Sequence, residues 1–255
     1  MKLTIDTDRK IVVRESGGSS ETVPLYSDRA FDLIAEQWVN VGWNQKYSYT
    51  FSWMGRPIIQ LPEDMIRTQE VIHRVRPDVI VETGVAHGGS LIYYASLCRV
   101  LGKGRVIGID IEIRPHNRQA IESHELGGAI TLVEGGSTDP DIVAKVHGMI
   151  RPGETVLVLL DSNHTRQHVL DELEAYHDLV TPGSYIVATD GVMKDLQDTP
   201  RGRPEWVWDN PTAAAEEFAA RHPEFVVEQP AWPFNESGLN RNLTHWPGAW
   251  LRRLI

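Results

Sequence analysis

The chain has a single cysteine, Cys98, no concentrated basic segment and no long apolar run. One thiol builds neither a disulfide framework nor a thiolate metal site, and that usage fits a reducing cytoplasm. The net charge is −10, and basic residues gather into nothing larger than pairs such as Arg252-Arg253. Nucleic acid is thereby excluded as the main partner, because phosphate neutralisation needs a basic surface. No stretch approaches the ~18 consecutive apolar residues that suggest a membrane span. Met1-Lys2-Leu3 opens a polar segment rather than a secretory signal. Internal repeats and low-complexity tracts are also missing, so the expectation is a soluble, cytoplasmic, globular protein.

At 255 residues and 41% hydrophobic content, the chain has room for one α/β domain with a large core plus a cap. From Asp78 onward, apolar runs recur at 78–84, 105–111, 129–135, 155–161 and 184–190. Helical stretches separate them at about 90–101, 115–126, 139–150 and 165–180. Continuous apolar strands alternating with helices imply a mostly parallel sheet covered on both faces. A helix over 212–221, a strand over 225–228 and a terminal strand over 249–255 suggest a C-terminal antiparallel pair. Ahead of this lie a peripheral hairpin or arm (1–25), a helix from Ser27 to Val41 and an aromatic segment from Tyr47 to Trp53. Another helix starts at Pro62-Glu63-Asp64. The organisation expected is an N-terminal helical and aromatic extension, 1–62, used as substrate cap or oligomerisation surface, and a cofactor-binding domain, 63–255.

The strands end on or near acids, among them Glu82, Asp110, Asp161 and Asp190. Ligands of open α/β sheets bind just outside the carboxyl ends of the strands, so these acids should converge. The first strand runs into Glu82-Thr83-Gly84-Val85-Ala86-His87-Gly88-Gly89-Ser90 and then a helix. Glycines there let the backbone approach a ligand, the helix start offers free N–H groups, and Asp110 is placed to grip ribose hydroxyls. A dinucleotide loop usually shows G-x-G-x-x-G for a pyrophosphate. Here an acid precedes the first glycine by two residues, which suits the cationic amino-acid tail of S-adenosylmethionine better than a pyrophosphate. An NAD-dependent oxidoreductase is the alternative on the loop alone, and a tight strand-to-helix turn is the structural one.

The segment Leu160-Asp161-Ser162-Asn163-His164-Thr165 sits where the fourth strand gives way to a helix. His164 carries an imidazole that, backed by carboxylates, can take a proton from an alcohol. A divalent cation is the other route, since it acidifies and orients a hydroxyl, and magnesium prefers oxygen ligands such as Asp161 and Asp190. Ser162 or Thr165 could instead cap the following helix. His87 lies inside the glycine loop, and Arg114 is an ion-pairing or substrate-contacting residue. Gly135-Gly136-Ser137-Thr138 after the third strand reads either as room for an adenine ring or as a flexible loop. Eight tryptophans and seven tyrosines cluster near 38–53 and 206–250. They read as core and interface packing or as a wall for a small molecule or sugar face.

ETGVAHGGS at 82–90, GIDIEIR at 108–114 and DSNHT at 161–165 resemble the cephalosporin hydroxylase and rhamnosyl O-methyltransferase family. QKYSYTFSWMGRPIIQLPEDM at 45–65 is similar to its antibiotic-sugar methyltransferase branch. The resemblance implies a class I methyltransferase, Rossmann-like fold, usually oligomeric, and an S-adenosylmethionine-dependent O-methyltransferase acting on a deoxysugar such as rhamnose. It places the cofactor against Glu82, Gly84, His87, Gly88, Gly89, Ser90, Asp110, Ile111, Gly136, Ser137 and Asp161. It puts magnesium at Asp161 and Asp190; the catalytic pair expected from the residues themselves is His164 with Asp161. Some relatives carry two adjacent acids at the fifth strand end, where this chain has Thr189-Asp190. The remaining alternative is a non-catalytic accessory protein that keeps the cofactor fold.

Overall fold

The computed structural model describes residues 1–255. The first element is a small antiparallel sheet of β1 (Lys2–Asp6), β2 (Ile11–Ser16) and β3 (Ser19–Pro24). The sequence suggested a peripheral hairpin or arm over 1–25, with Gly17 and Gly18 inside it. Both glycines instead take positive φ (57° and 80°) and form the turn that starts a third strand. Helix α1 (Asp28–Asn44) follows, and Ser27 Oγ caps it by accepting the Ala30 N–H at 3.2 Å. A short hairpin, β4 (Phe51–Trp53) with β5 (Arg56–Ile58), leads into α2 (Pro62–Val75).

The main body alternates strand and helix. In order come β6 (Val79–Thr83), α3 (Gly89–Leu101), β7 (Arg105–Asp110), α4 (Pro115–Glu122), β8 (Ile130–Glu134), α5 (Pro140–His147), β9 (Val156–Leu160), α6 (Arg166–Tyr176) and β10 (Tyr185–Ala188). Then come α7 (Pro211–Arg221), β11 (Phe225–Val227) and β12 (Trp250–Arg253). The seven-stranded sheet has the order β11-β12-β10-β9-β6-β7-β8. Strands β6 to β10 run parallel, and β12 is antiparallel both to β10 and to β11.

The reason lies in the strand sequences. Every residue of β6, β9 and β10 is buried, as expected of central strands covered on both faces. The two largest apolar clusters lie one on each face: Ile80, Leu157 and Val187 face Leu91, Tyr94 and Trp250, whereas Val79, Val158 and Ile186 face Val169, Leu173 and Phe218. Period-2 alternation along each strand makes that division. Trp53, Trp246 and Trp250 pack with the first cluster, so part of the aromatic content serves the core. Because β9 and β10 are neighbours and parallel, Asp161 and Asp190 emerge side by side at the carboxyl edge. No helix is long and apolar enough to cross a membrane.

Candidate active site

The glycine loop between β6 and α3 is shaped mainly by protein contacts. A Cβ on Gly84, whose φ is +91°, would lie 2.0 Å from the Asp161 carbonyl oxygen. One on Gly88 would meet the Ile121 side chain at 2.3 Å, and one on Gly89 the Pro57 carbonyl at 2.1 Å. These glycines therefore let β6, β9, β5 and α4 crowd together around the loop. Asp110 Oδ2 accepts the Val85 N–H at 2.8 Å and the Ala86 N–H at 3.2 Å. Ala86 holds a positive φ of 44°, a conformation that costs a non-glycine residue about 1 kcal/mol or more and needs outside support. Asn117 supplies it by donating Nδ2–H to the Ala86 carbonyl at 2.8 Å, and Arg56 donates to the His87 carbonyl and to Asn117 Oδ1.

Under the loop, Glu82 is fully buried and accepts the Ser90 hydroxyl at 2.6 Å through one oxygen. Its other oxygen, Oε1, has no partner. Burial first, and the nearby Asp161 carboxylate second, push its carboxyl well above the ordinary range. A buried carboxylate with an orphaned oxygen lacks a cation, and the α-ammonium of S-adenosylmethionine is a chemical match for it.

The acid–histidine group stands beside this. Asp161, His164 and Asp190 offer ligand atoms that all lie within 4.8 Å of one another, and His164 Nε2 is 3.5 Å from Asp190 Oδ2. Burial and the Asp190 charge push the Asp161 carboxyl up to about 6, against an opposing pull from His164. A divalent cation would relieve that crowding, and two carboxylates with room for water form a donor set magnesium accepts. Thr189, in the place where a second acid was looked for, donates its hydroxyl to Asp161 Oδ1 at 2.6 Å. It orients the first acid. Asp190 itself sits in the left-handed region, φ 58°, as strained residues at functional sites often do.

Two hollows meet at this group. One, of about 180 Å³, is lined by Gly84, His87, Gly89, Ser90, Asp161, His164 and Asp190, with Tyr49 and the 57–60 segment opposite. The other, of about 190 Å³, is walled by Trp43, Tyr49, Met193, Arg201, Trp206 and His245, and also reaches His164 and Asp190. Tyr49, Ile59, His164 and Asp190 belong to both. A larger groove of about 870 Å³ beside α2, at Ile66, Arg67 and Trp232, lies away from the acid–histidine group.

The other anticipated residues lie around the rim. Ile111 is 79% exposed beside Asp110, an apolar surface with nothing over it. Gly136 and Ser137 follow β8, and Ser137 is tied down: Tyr176 OH donates to its carbonyl at 2.5 Å. Neither Ser162 nor Thr165 caps α6. Thr165 bonds to Asn163 and Ser162 donates to Glu172, while Asp209 Oδ1 accepts the Arg166 N–H at 2.7 Å. Arg118, not Arg114, makes the ion pair near the end of β8, reaching Glu134 at 2.9 Å.

Several residues escaped the sequence reading. His168 Nε2 lies 3.3 Å from Ser137 Oγ, 3.2 Å from Ser162 Oγ and 3.3 Å from the buried Glu172 carboxylate. That bond to Glu172 raises the imidazole pKa, and the network joins the loops after β8 and β9. Its only sequence signal was the i,i+4 spacing of His168 and Glu172 on one helix face. Arg56, Asn117 and His245 gave no local signal.

The rhamnosyl O-methyltransferase of Mycobacterium leprae (strain TN) is 29% identical over 184 residues, 68% of this chain and 74% of that protein. That of Mycobacterium tuberculosis (strain ATCC 25618 / H37Rv) is 27% identical over 165 residues, 64% of this chain; the match spans 65% of that relative's length. Among solved structures, CmcI with magnesium and S-adenosylmethionine superposes with a TM-score of 0.54 at 19% identity, over 81% of this chain and 78% of that one. MycE methyltransferase with magnesium, S-adenosylhomocysteine and mycinamycin VI gives 0.51 at 17% identity, over 94% and 68%. Both likenesses concern the fold, a mostly parallel methyltransferase sheet with antiparallel strands at its C-terminal side. The family profile described as Rhamnosyl O-methyltransferase/CmcI matches residues 45–254, and the chain belongs to that family.

Proposed function

We propose that the chain is an S-adenosylmethionine-dependent O-methyltransferase acting on a sugar hydroxyl, favouring a deoxysugar such as a rhamnose unit of a glycoside natural product. The observation that carries this reading is the junction of the two hollows at His164 and Asp190, one bounded by the glycine loop, the other by aromatic rings. Such a junction can bring a donor and an acceptor hydroxyl in line, and positioning accounts for much of the catalysis of a group transfer. The aromatic walls suit the apolar face of a sugar ring. Family membership and the orphaned Glu82 oxygen favour this cofactor over NAD.

S-adenosylmethionine supplies the methyl group on a cationic sulfonium. Glu82 would accept its ammonium, the Asp110 carboxylate its ribose, and Ile111 would cover one adenine face while Gly136 and Ser137 leave room at the ring's edge. Magnesium, where used, would be held by Asp161 and Asp190 and would acidify the acceptor hydroxyl. His164 takes the proton of that hydroxyl, and the Asp190 carboxylate 3.5 Å away stabilises the imidazolium that forms.

The test is methyl transfer to a rhamnosylated acceptor, read by mass spectrometry. His164→Ala should lower turnover by roughly 10²–10⁴-fold with S-adenosylhomocysteine affinity nearly intact. Asp161→Asn and Asp190→Asn should be damaging, and chelation should mimic them. Full turnover in His164→Ala would remove the histidine from the mechanism, and indifference to chelator the metal. Tight S-adenosylhomocysteine binding with no transfer to any acceptor would favour an accessory role.

A further inference from the structure

His245 lies in the coil between β11 and β12, far in sequence from every motif of the site, yet it lines the aromatic hollow together with His164 and Asp190. The residue is 4% exposed, and its Nε2 is buried with no hydrogen-bond partner. Its only protein hydrogen bonds are through the backbone. Its N–H donates to Asp64 Oδ2 at 2.8 Å, and its carbonyl accepts the Val192 N–H at 3.0 Å. Thr244 Oγ1 donates to the other Asp64 oxygen, so one buried carboxylate at the start of α2 clamps both residues. The backbone that carries the ring is thus held on both sides while Nε2 goes unused.

Leaving a buried donor or acceptor unpaired costs free energy that a protein normally avoids. Burial lowers the imidazole pKa, so the ring is neutral and offers one donor and one acceptor. The charges of Asp190 and Glu63 oppose that lowering without reversing it. Aromatic walls hold a sugar without choosing among its hydroxyls; a fixed neutral imidazole chooses. We propose that His245 binds a second hydroxyl of the acceptor, other than the one methylated, and so determines which sugar, and which of its positions, is accepted. The proposal rests on the sugar-methylation reading above and adds the residue that selects the acceptor.

Full-length enzyme is assayed with a rhamnoside and with its deoxy analogues, each lacking one ring hydroxyl, using wild type, His245→Leu and His245→Gln. Leucine should lower kcat/KM on the complete rhamnoside by about 10- to 100-fold, chiefly through KM, with S-adenosylhomocysteine affinity and Tm close to wild type. On one deoxy analogue the wild type and His245→Leu should be equally active. Glutamine, which keeps a donor and an acceptor, should restore part of the loss. A loss of the same factor on every analogue, or equal activity of leucine variant and wild type on the complete rhamnoside, overturns the proposal while leaving the sugar reading intact. If leucine lowers Tm and cofactor affinity, glutamine decides alone: the same loss on all analogues again overturns it. A wild type that methylates no glycoside overturns the sugar reading itself, and this proposal with it.

Discussion

Asp110 closes β7 and accepts the Val85 and Ala86 N–H groups through Oδ2, while Oδ1 reaches the Glu112 N–H at 3.3 Å. A terminal acid after an apolar strand was legible as a candidate ribose ligand; that the same carboxylate holds the glycine loop in shape was not legible, because the bond spans 25 residues. Asp110→Ala should therefore weaken S-adenosylhomocysteine binding by more than the ~1.5–3 kcal/mol of a lost charge-assisted hydrogen bond. Calorimetry measures the affinity, and hydrogen exchange at Val85 and Ala86 should rise in the unliganded variant. Unchanged affinity would put the ribose elsewhere. The glycines carry the converse lesson. Their spacing was read as access for a ligand; Gly84 and Gly89 are in addition required by the backbones of Asp161 and Pro57, which the spacing did not reveal.

At the scale of elements, the five parallel strands stand within a residue or two of where continuous apolar runs placed them, since burial on both faces leaves a strong one-dimensional signal. β3 was missed: Ser-Ser-Glu-Thr-Val-Pro carries little of that signal and pairs as the outer strand of a small, exposed sheet. A helix start was legible where the cap is local, as at Ser27, which accepts an N–H three residues on. The cap of α6 is not local. Asp209 reaches the Arg166 N–H across 43 residues and fixes the helix that carries His168 and Glu172. Asp209→Ala should cost about 1 kcal/mol, the usual worth of such a cap, and lower Tm without changing unfolding cooperativity. Thermal melts of the variant check it; no change would mean that the Thr165–Asn163 turn holds the helix start unaided.

At the scale of the molecule, exposed apolar residues near the N-terminal extension, Trp38, Val41, Tyr49 and Met54, support the expectation of an oligomer. Light scattering should show particles larger than one chain, and a monodisperse monomer would count against it. The sequence could not join the two ends of the main body. Asp64, at the start of α2, is buried against Thr244 and His245, 180 residues away. Burial raises its carboxyl to about 7, opposed by those hydrogen bonds and aided by the charges of Asp190 and Glu63. In the unfolded chain an aspartate titrates near ~3.9. Between these values the folded form binds the extra proton, so its contribution to stability is complete below the unfolded value and is lost as pH rises through about 7. The span corresponds to a few kcal/mol, on the order of 4. The unliganded protein should melt at lower temperature at pH 8 than at pH 5.5, and Asp64→Asn, which is never charged, should flatten that slope. A variant with the wild-type slope would assign the pH dependence to other groups.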